Sequence, residues 1–186
     1  RSAASRRPGV VVIDAGMRGL RGCLPGMRIV AAALLAFALN AHALTPGEPA
    51  PAFALTDSNG KTISLASLRG RVVYVDFWAS WCTPCRRSFP WMNAMQARHG
   101  AEGLAIVAVN VDKRPADAAR FLGDVPASFT VVYDAGGATP SAYGVKGMPS
   151  SYLIDRRGNV IAIEDGFHDE RRAALEAQIE SALRER

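Results

Sequence analysis

The stretch "VVYVDFWASWCTPCRRSFPW", residues 72–91, decides how this chain is read. Residues 72–78 form a nearly continuous apolar run, the pattern of a strand covered on both faces. Asp76 interrupts that run. Cys82 and Cys85 follow with two residues between them, and from Thr83 to about Arg98 the pattern is helical. The cysteine pair therefore stands where a buried strand hands over to a helix. The first turn of a helix has unpaired backbone N–H groups and the positive end of the helix dipole, and both favour a thiolate. The thiolate is the nucleophilic form, so Cys82 is expected to be the reactive residue. Cys85, one turn in, is placed to attack a mixed disulfide that Cys82 has formed. Pro84 has no N–H to lose in a first turn, and it stiffens the dithiol loop.

Two duller roles for the pair fit poorly. A disulfide closing so small a loop removes little unfolded-state entropy, so a purely stabilising bridge gains little here. A zinc site needs two further Cys or His ligands at suitable spacing. The only histidines are His42, His99 and His168, and His42 falls in an expected leader. No metal is expected, and no cofactor other than a redox-active disulfide.

The chain has 186 residues, enough for one ordinary domain, and 49% of them are apolar. Its net charge of +5 is misleading. Six of the 22 basic residues precede residue 44, against one of the 17 acidic ones, so the remainder balance at 16 each. The domain thus carries no electrostatic footprint for nucleic acid. Met27-Arg28, the eleven apolar residues "IVAAALLAFAL" and Ala41-His42-Ala43 have the charged start, short core and small-residue ending of a secretory signal peptide. We expect it to span 27–43 and to be cleaved after Ala43. Eleven apolar residues are fewer than the about 20 that a spanning helix needs, so an uncleaved anchor is the lesser expectation. Residues 1–26, rich in Arg, Gly and Ala, are expected to be mis-called or untranslated sequence, with Met27 the better start and Met17 a second option. Cys23 lies there, which leaves Cys82 and Cys85 to the exported protein, in a compartment where disulfides form.

Further along, the Pro-rich residues 44–52 suggest an extended linker into a domain over 53–186. Residues 53–70 suggest a hairpin turning at Asn59-Gly60. Strands are expected at 104–111, 129–134, 150–155 and 159–165, with Gly158 turning the last pair. Helices are expected at 114–123, opening with Pro115 and stopping at Gly123, and from about His168 to Arg184 with Leu175, Ile179, Ala182 and Leu183 on one face. The order is a hairpin followed by β-α-β-α-β-β-α. It implies an α/β fold with a central mixed sheet flanked by helices on both faces.

"VDFWASWCTPCRRSFP" and "YGVKGMPSSYLID" resemble the thioredoxin fold, and more closely the exported thiol–disulfide oxidoreductases of the TlpA/ResA type within the redoxin superfamily. The resemblance extends through residues 51–82 and "VAVNVDKRPADAARFL", which includes Asp112, and covers about 47–185. It implies a thioredoxin-like domain with an added N-terminal β-hairpin, acting as a protein-disulfide reductase in the periplasm. Its implied partners are disulfide-bearing exported proteins, apocytochrome c being the commonest family client. A membrane thiol carrier of the DsbD/CcdA kind would supply electrons. Pro149 falls where the family has a cis-proline beside the dithiol, with the Met148 backbone available to an extended substrate segment. Trp81 would be an apolar platform; Trp81, Thr83, Pro84, Met148 and Pro149 are the implied substrate-contacting set. Pro90 falls where the family kinks the active-site helix, and Trp78 and Trp91 are expected to serve packing.

Two departures bear on mechanism. The family usually has Glu three residues after the second cysteine, where this chain has Ser88, and Asn in the preceding strand, where it has Asp76. Thioredoxins proper carry Asp at that strand position. Asp76 is therefore expected to be buried, with its acidity weakened by burial, and to accept the proton of Cys85. The alternative is an Asp bonded to a backbone or Lys group at the strand end. Two other functions fit the residues less well. A peroxiredoxin-like peroxidase wants Thr three residues before its reactive cysteine, where this chain has Ala79. A copper-carrying module of the Sco kind needs three residues between its cysteines and a distal His.

Overall fold

A computed structural model describes residues 44–185. Seven strands form one mixed sheet: β1 (Ala54–Thr56), β2 (Thr62–Ser64), β3 (Val72–Trp78), β4 (Leu104–Asn110), β5 (Thr130–Tyr133), β6 (Ser150–Ile154) and β7 (Val160–Asp165). Four helices accompany them: α1 (Cys85–His99), α2 (Pro115–Asp124), α3 (Ala138–Ala142) and α4 (Arg172–Arg184). The strand order is β2-β1-β5-β4-β3-β6-β7. β3, β4 and β5 run parallel, while the hairpins β1-β2 and β6-β7 join as antiparallel flanks.

β3 and β4 are buried at every residue, which is why they read as nearly continuous apolar runs. Side chains alternate across a strand, so β3 feeds both faces of the sheet. Val73, Val75 and Phe77 pack on one face with Val107, Val109, Tyr143 and Tyr152. Tyr74 and Trp78 pack on the other with Phe89 and Trp91 of α1, Phe121 of α2, and Leu175 and Ile179 of α4. The crossovers through α1 and α2 step the same way along the sheet and so share a face. The step from β5 back to β6 reverses direction, and α3 lies on the opposite face.

An aromatic cluster holds α1 and α2 to β3. Phe121 lies 4.7 Å from Trp78 and 5.0 Å from Phe89 between ring centroids, and Phe89 lies 5.2 Å from Phe129. Trp78 and Trp91, for which the sequence left core or surface packing open, are both core residues. Phe121→Ala would empty the centre of this cluster and is expected to cost about 3–5 kcal/mol, measurable by urea denaturation.

Several elements differ from the sequence reading. α1 begins at Cys85 rather than Thr83. α2 runs through Gly123, and its last N–H bond is closed by Val125 onto Phe121. The final helix opens with a 3-10 turn at Asp169–Arg171. α3 was not expected; it follows Gly137, whose φ of 78° lets the chain turn out of the β5 loop. Residues 47–50 do not hang free: Gly47 donates to Val160 O and Ala50 to Gly158 O, while Val160 N donates to Glu48 O. The hairpin turn at residues 57–61 is organised by Asp57, whose Oδ1 accepts from the N–H groups of Asn59 and Lys61. Leu175, Ile179 and Ala182 of α4 are buried as its periodicity implied.

Candidate active site

Cys82 and Cys85 form a disulfide between the end of β3 and the first residue of α1, with Cα atoms 5.3 Å apart. Cys85 is fully buried and Cys82 nearly so. The Cys85 N–H donates to Cys82 Sγ at 3.2 Å. This is one of the unpaired donors of the first helical turn, aimed at the sulfur that must carry charge when the bridge opens. The next N–H groups, of Arg86 and Arg87, close on Thr83 O and Pro84 O.

The loop before Cys82 is held by Asp112, just past β4. Its carboxylate accepts from Ser80 N at 2.9 Å, Ser80 Oγ at 3.0 Å and Asn110 Nδ2 at 2.8 Å. Sequence reasoning gave Asp112 no role beyond resemblance. Its position directly after a buried strand, level with the end of β3, was the available signal.

Asp76 lies on the same face of β3 as Tyr74 and Trp78, the face covered by α1. It is 1% exposed. Ser151, its partner in register on β6, donates Oγ–H to Asp76 Oδ1 at 2.8 Å. Oδ2 has no hydrogen-bond partner among the described residues. Burial drives the Asp76 carboxyl up to about 7, against a smaller downward pull from the Ser151 bond. Burial, reinforced by the neighbouring Asp76, likewise pushes the Tyr74 phenol upward. The partner of Asp76 is thus a mid-strand hydroxyl, not a backbone or Lys group at the strand end. Ser151→Ala removes the bond that favours the carboxylate, so the Asp76 titration is expected to move upward by about one pH unit, read by carbon NMR of the carboxyl. Ser88, where the family carries Glu, is buried and donates to Cys85 O at 3.2 Å.

The Met148–Pro149 peptide is cis, at the entry to β6. Pro149 is buried and Met148 half-buried. Trp81 is 70% exposed, far from a core role. Together with Met148, Trp81 lines an open cleft of about 420 Å³ beside the dithiol. Thr83 is exposed and Pro84 half-buried, and neither is among the residues lining that cleft. The structure thus joins Cys82 and Cys85 at the start of α1, places Asp76 on the face of β3 that α1 covers, and brings Trp81 and Met148 together along the cleft. Pro90 sits within α1, where it removes one helical N–H donor. Among the described residues no group of three or more His, Cys, Asp or Glu side chains is arranged to hold a metal.

The Redoxin family profile matches residues 45–179. The chain is 36% identical over 125 residues to the thiol-disulfide oxidoreductase ResA of Bacillus subtilis, covering 67% of this chain and 70% of that protein. It is 36% identical over 115 residues to ResA of Bacillus thuringiensis, covering 62% of this chain and 66% of the relative. The chain thus spans about two thirds of the length of these relatives. Among solved structures, a Chlorobium tepidum protein assigned as a thiol:disulfide interchange protein DsbE superposes with a TM-score of 0.73 at 54% identity. That match covers 76% of this chain and 99% of the other. With the disulfide of Cys82 and Cys85 at the head of α1, the conclusion is that the chain belongs to the Redoxin family and is a thioredoxin-fold thiol–disulfide oxidoreductase of the ResA type.

Proposed function

We propose that this protein works outside the cytoplasm as a reductase of disulfides in exported proteins, with apocytochrome c as a client. The observation that carries the reading is the Cys85 N–H aimed at Cys82 Sγ at 3.2 Å, which supports a thiolate on Cys82 and so its role as the attacking sulfur. In the reduced protein the Cys82 thiolate attacks one sulfur of a client disulfide. The client S–S bond breaks, its other sulfur leaves as a thiolate that takes up a proton, and a Cys82–client disulfide forms. Asp76 then accepts the thiol proton of Cys85 through its unpartnered Oδ2. The Cys85 thiolate attacks Cys82 Sγ, closes the internal disulfide and releases the second client sulfur, which is protonated in turn. Two electrons pass from the dithiol to the client, and a membrane thiol carrier of the DsbD/CcdA kind restores them. Trp81, Thr83, Pro84 and Met148 form the client-facing rim, and the Met148 backbone beside Pro149 pairs with an extended client segment. Support for export comes from the leader at 27–43, which lies outside the described residues.

The test is trapping. In Cys85→Ser the resolving sulfur is gone, so clients are expected to remain linked to Cys82 and to be identified by mass spectrometry as exported proteins. If the wild-type dithiol stays oxidised in cells and no client links to Cys82, the reductase reading fails.

A further inference from the structure

The cleft beside the dithiol is lined by Trp81, Val145 and Met148 together with Lys113 and Lys146. Both lysines are exposed, and no carboxylate is among the lining residues. Lys113 Nζ donates to Ala135 O at 2.5 Å, a bond that leaves its charge uncompensated. Neither lysine forms an ion pair among the described residues. The cations on α1 behave differently: Arg86 pairs with Asp124 at 3.2 Å and Arg87 with Asp169 at 3.1 Å. Two carboxylates close in sequence, Asp112 and Asp134, are buried and do not line the cleft. Asp112 is bonded to Ser80 and Asn110, and Asp134 accepts the N–H groups of Gly137 and Thr139. From residue 44 onward acidic and basic residues balance, whereas the charged side chains lining the cleft are both lysines.

We propose that the cleft selects client segments with Asp or Glu close to the cysteine that Cys82 attacks, Lys113 and Lys146 receiving the carboxylates. The proposal rests on the oxidoreductase reading above and names the client chemistry of that same site. An apolar client residue packs on Trp81 and Met148, and the two cations meet acidic neighbours along the same segment. Exposed charges of this kind act mainly on the rate of encounter and are screened by salt, so the preference is graded.

The test uses the reduced full chain and three intramolecular disulfide peptides that differ only in Glu, Gln or Lys next to the cysteines. The expected order of kcat/KM is Glu, then Gln, then Lys, with a spread of about 10-fold at low ionic strength that shrinks to about 2-fold near 0.5 M salt. Lys113→Gln with Lys146→Gln is expected to collapse the spread, and Lys113→Glu with Lys146→Glu to reverse the order, which a folding defect does not mimic. Equal rates for the three peptides, or an order unchanged in both double variants, overturns the proposal. Reduction of neutral bis(2-hydroxyethyl) disulfide by the wild-type protein separates the two readings. If that compound and all three peptides go unreduced, the oxidoreductase reading itself has failed. If it is reduced while the peptides show no charge preference, only the acidic-client proposal has.

Discussion

Cys82→Ser is expected to abolish disulfide reduction, with a loss of at least about 1,000-fold in turnover of any disulfide substrate. The hydroxyl cannot replace a thiolate as nucleophile, and Cys85 is fully buried behind Cys82, so it cannot take over the attack. Cys85→Ser behaves differently. Its first step survives, and the protein is consumed stoichiometrically as a mixed disulfide. An insulin reduction assay under single- and multiple-turnover conditions distinguishes the two variants. Equal formation of the mixed disulfide in a single turnover by both variants would mean that the sulfurs do not hold separate roles.

The second large effect is on stability. Asp76 has a folded-state value near 7, raised by burial above the ordinary carboxylate value of 3.8. Below about pH 4 the carboxyl is protonated in both folded and unfolded chains, and burial of the charge costs nothing. Between about pH 4 and 7 the unfolded chain ionises while the folded one holds its proton, so stability falls as pH rises. Above 7 both are ionised and the penalty is constant. Asp76→Asn carries no such charge. The stability difference between variant and wild type is therefore expected to move by about 4 kcal/mol in the variant's favour between pH 4 and 8. Urea denaturation of the oxidised proteins across that range measures it, and a difference independent of pH would show that Asp76 does not titrate as a buried acid.

What could be read without coordinates followed from how local the signal was. β3 and β4 are buried on both faces, so their apolar runs were visible at once, and the dithiol was placed at a helix start by the change of pattern around residue 82. The five residues of α3 are too few to show a helical period, and it passed unseen. Ser151 could not be paired with Asp76 because the two are 75 residues apart and meet only through the register of β3 and β6. The same holds for Asp112 with Ser80, 32 residues apart, and for Lys113 and Lys146, which converge on the cleft from different loops. The backbone pairing of residues 47–50 with 158–160 was hidden because a Pro-rich segment gives no side-chain pattern for it.

The central claim is that Cys82 attacks, and that Cys85 resolves by giving its proton to Asp76. Rapid-quench mass spectrometry of the reduced protein with one equivalent of a disulfide peptide follows that sequence directly. The account predicts a transient adduct on Cys82 alone, decaying at a rate governed by an ionisation near pH 7 that Asp76→Asn removes. An adduct on Cys85, or a decay with the same pH profile in Asp76→Asn as in wild type, would contradict it.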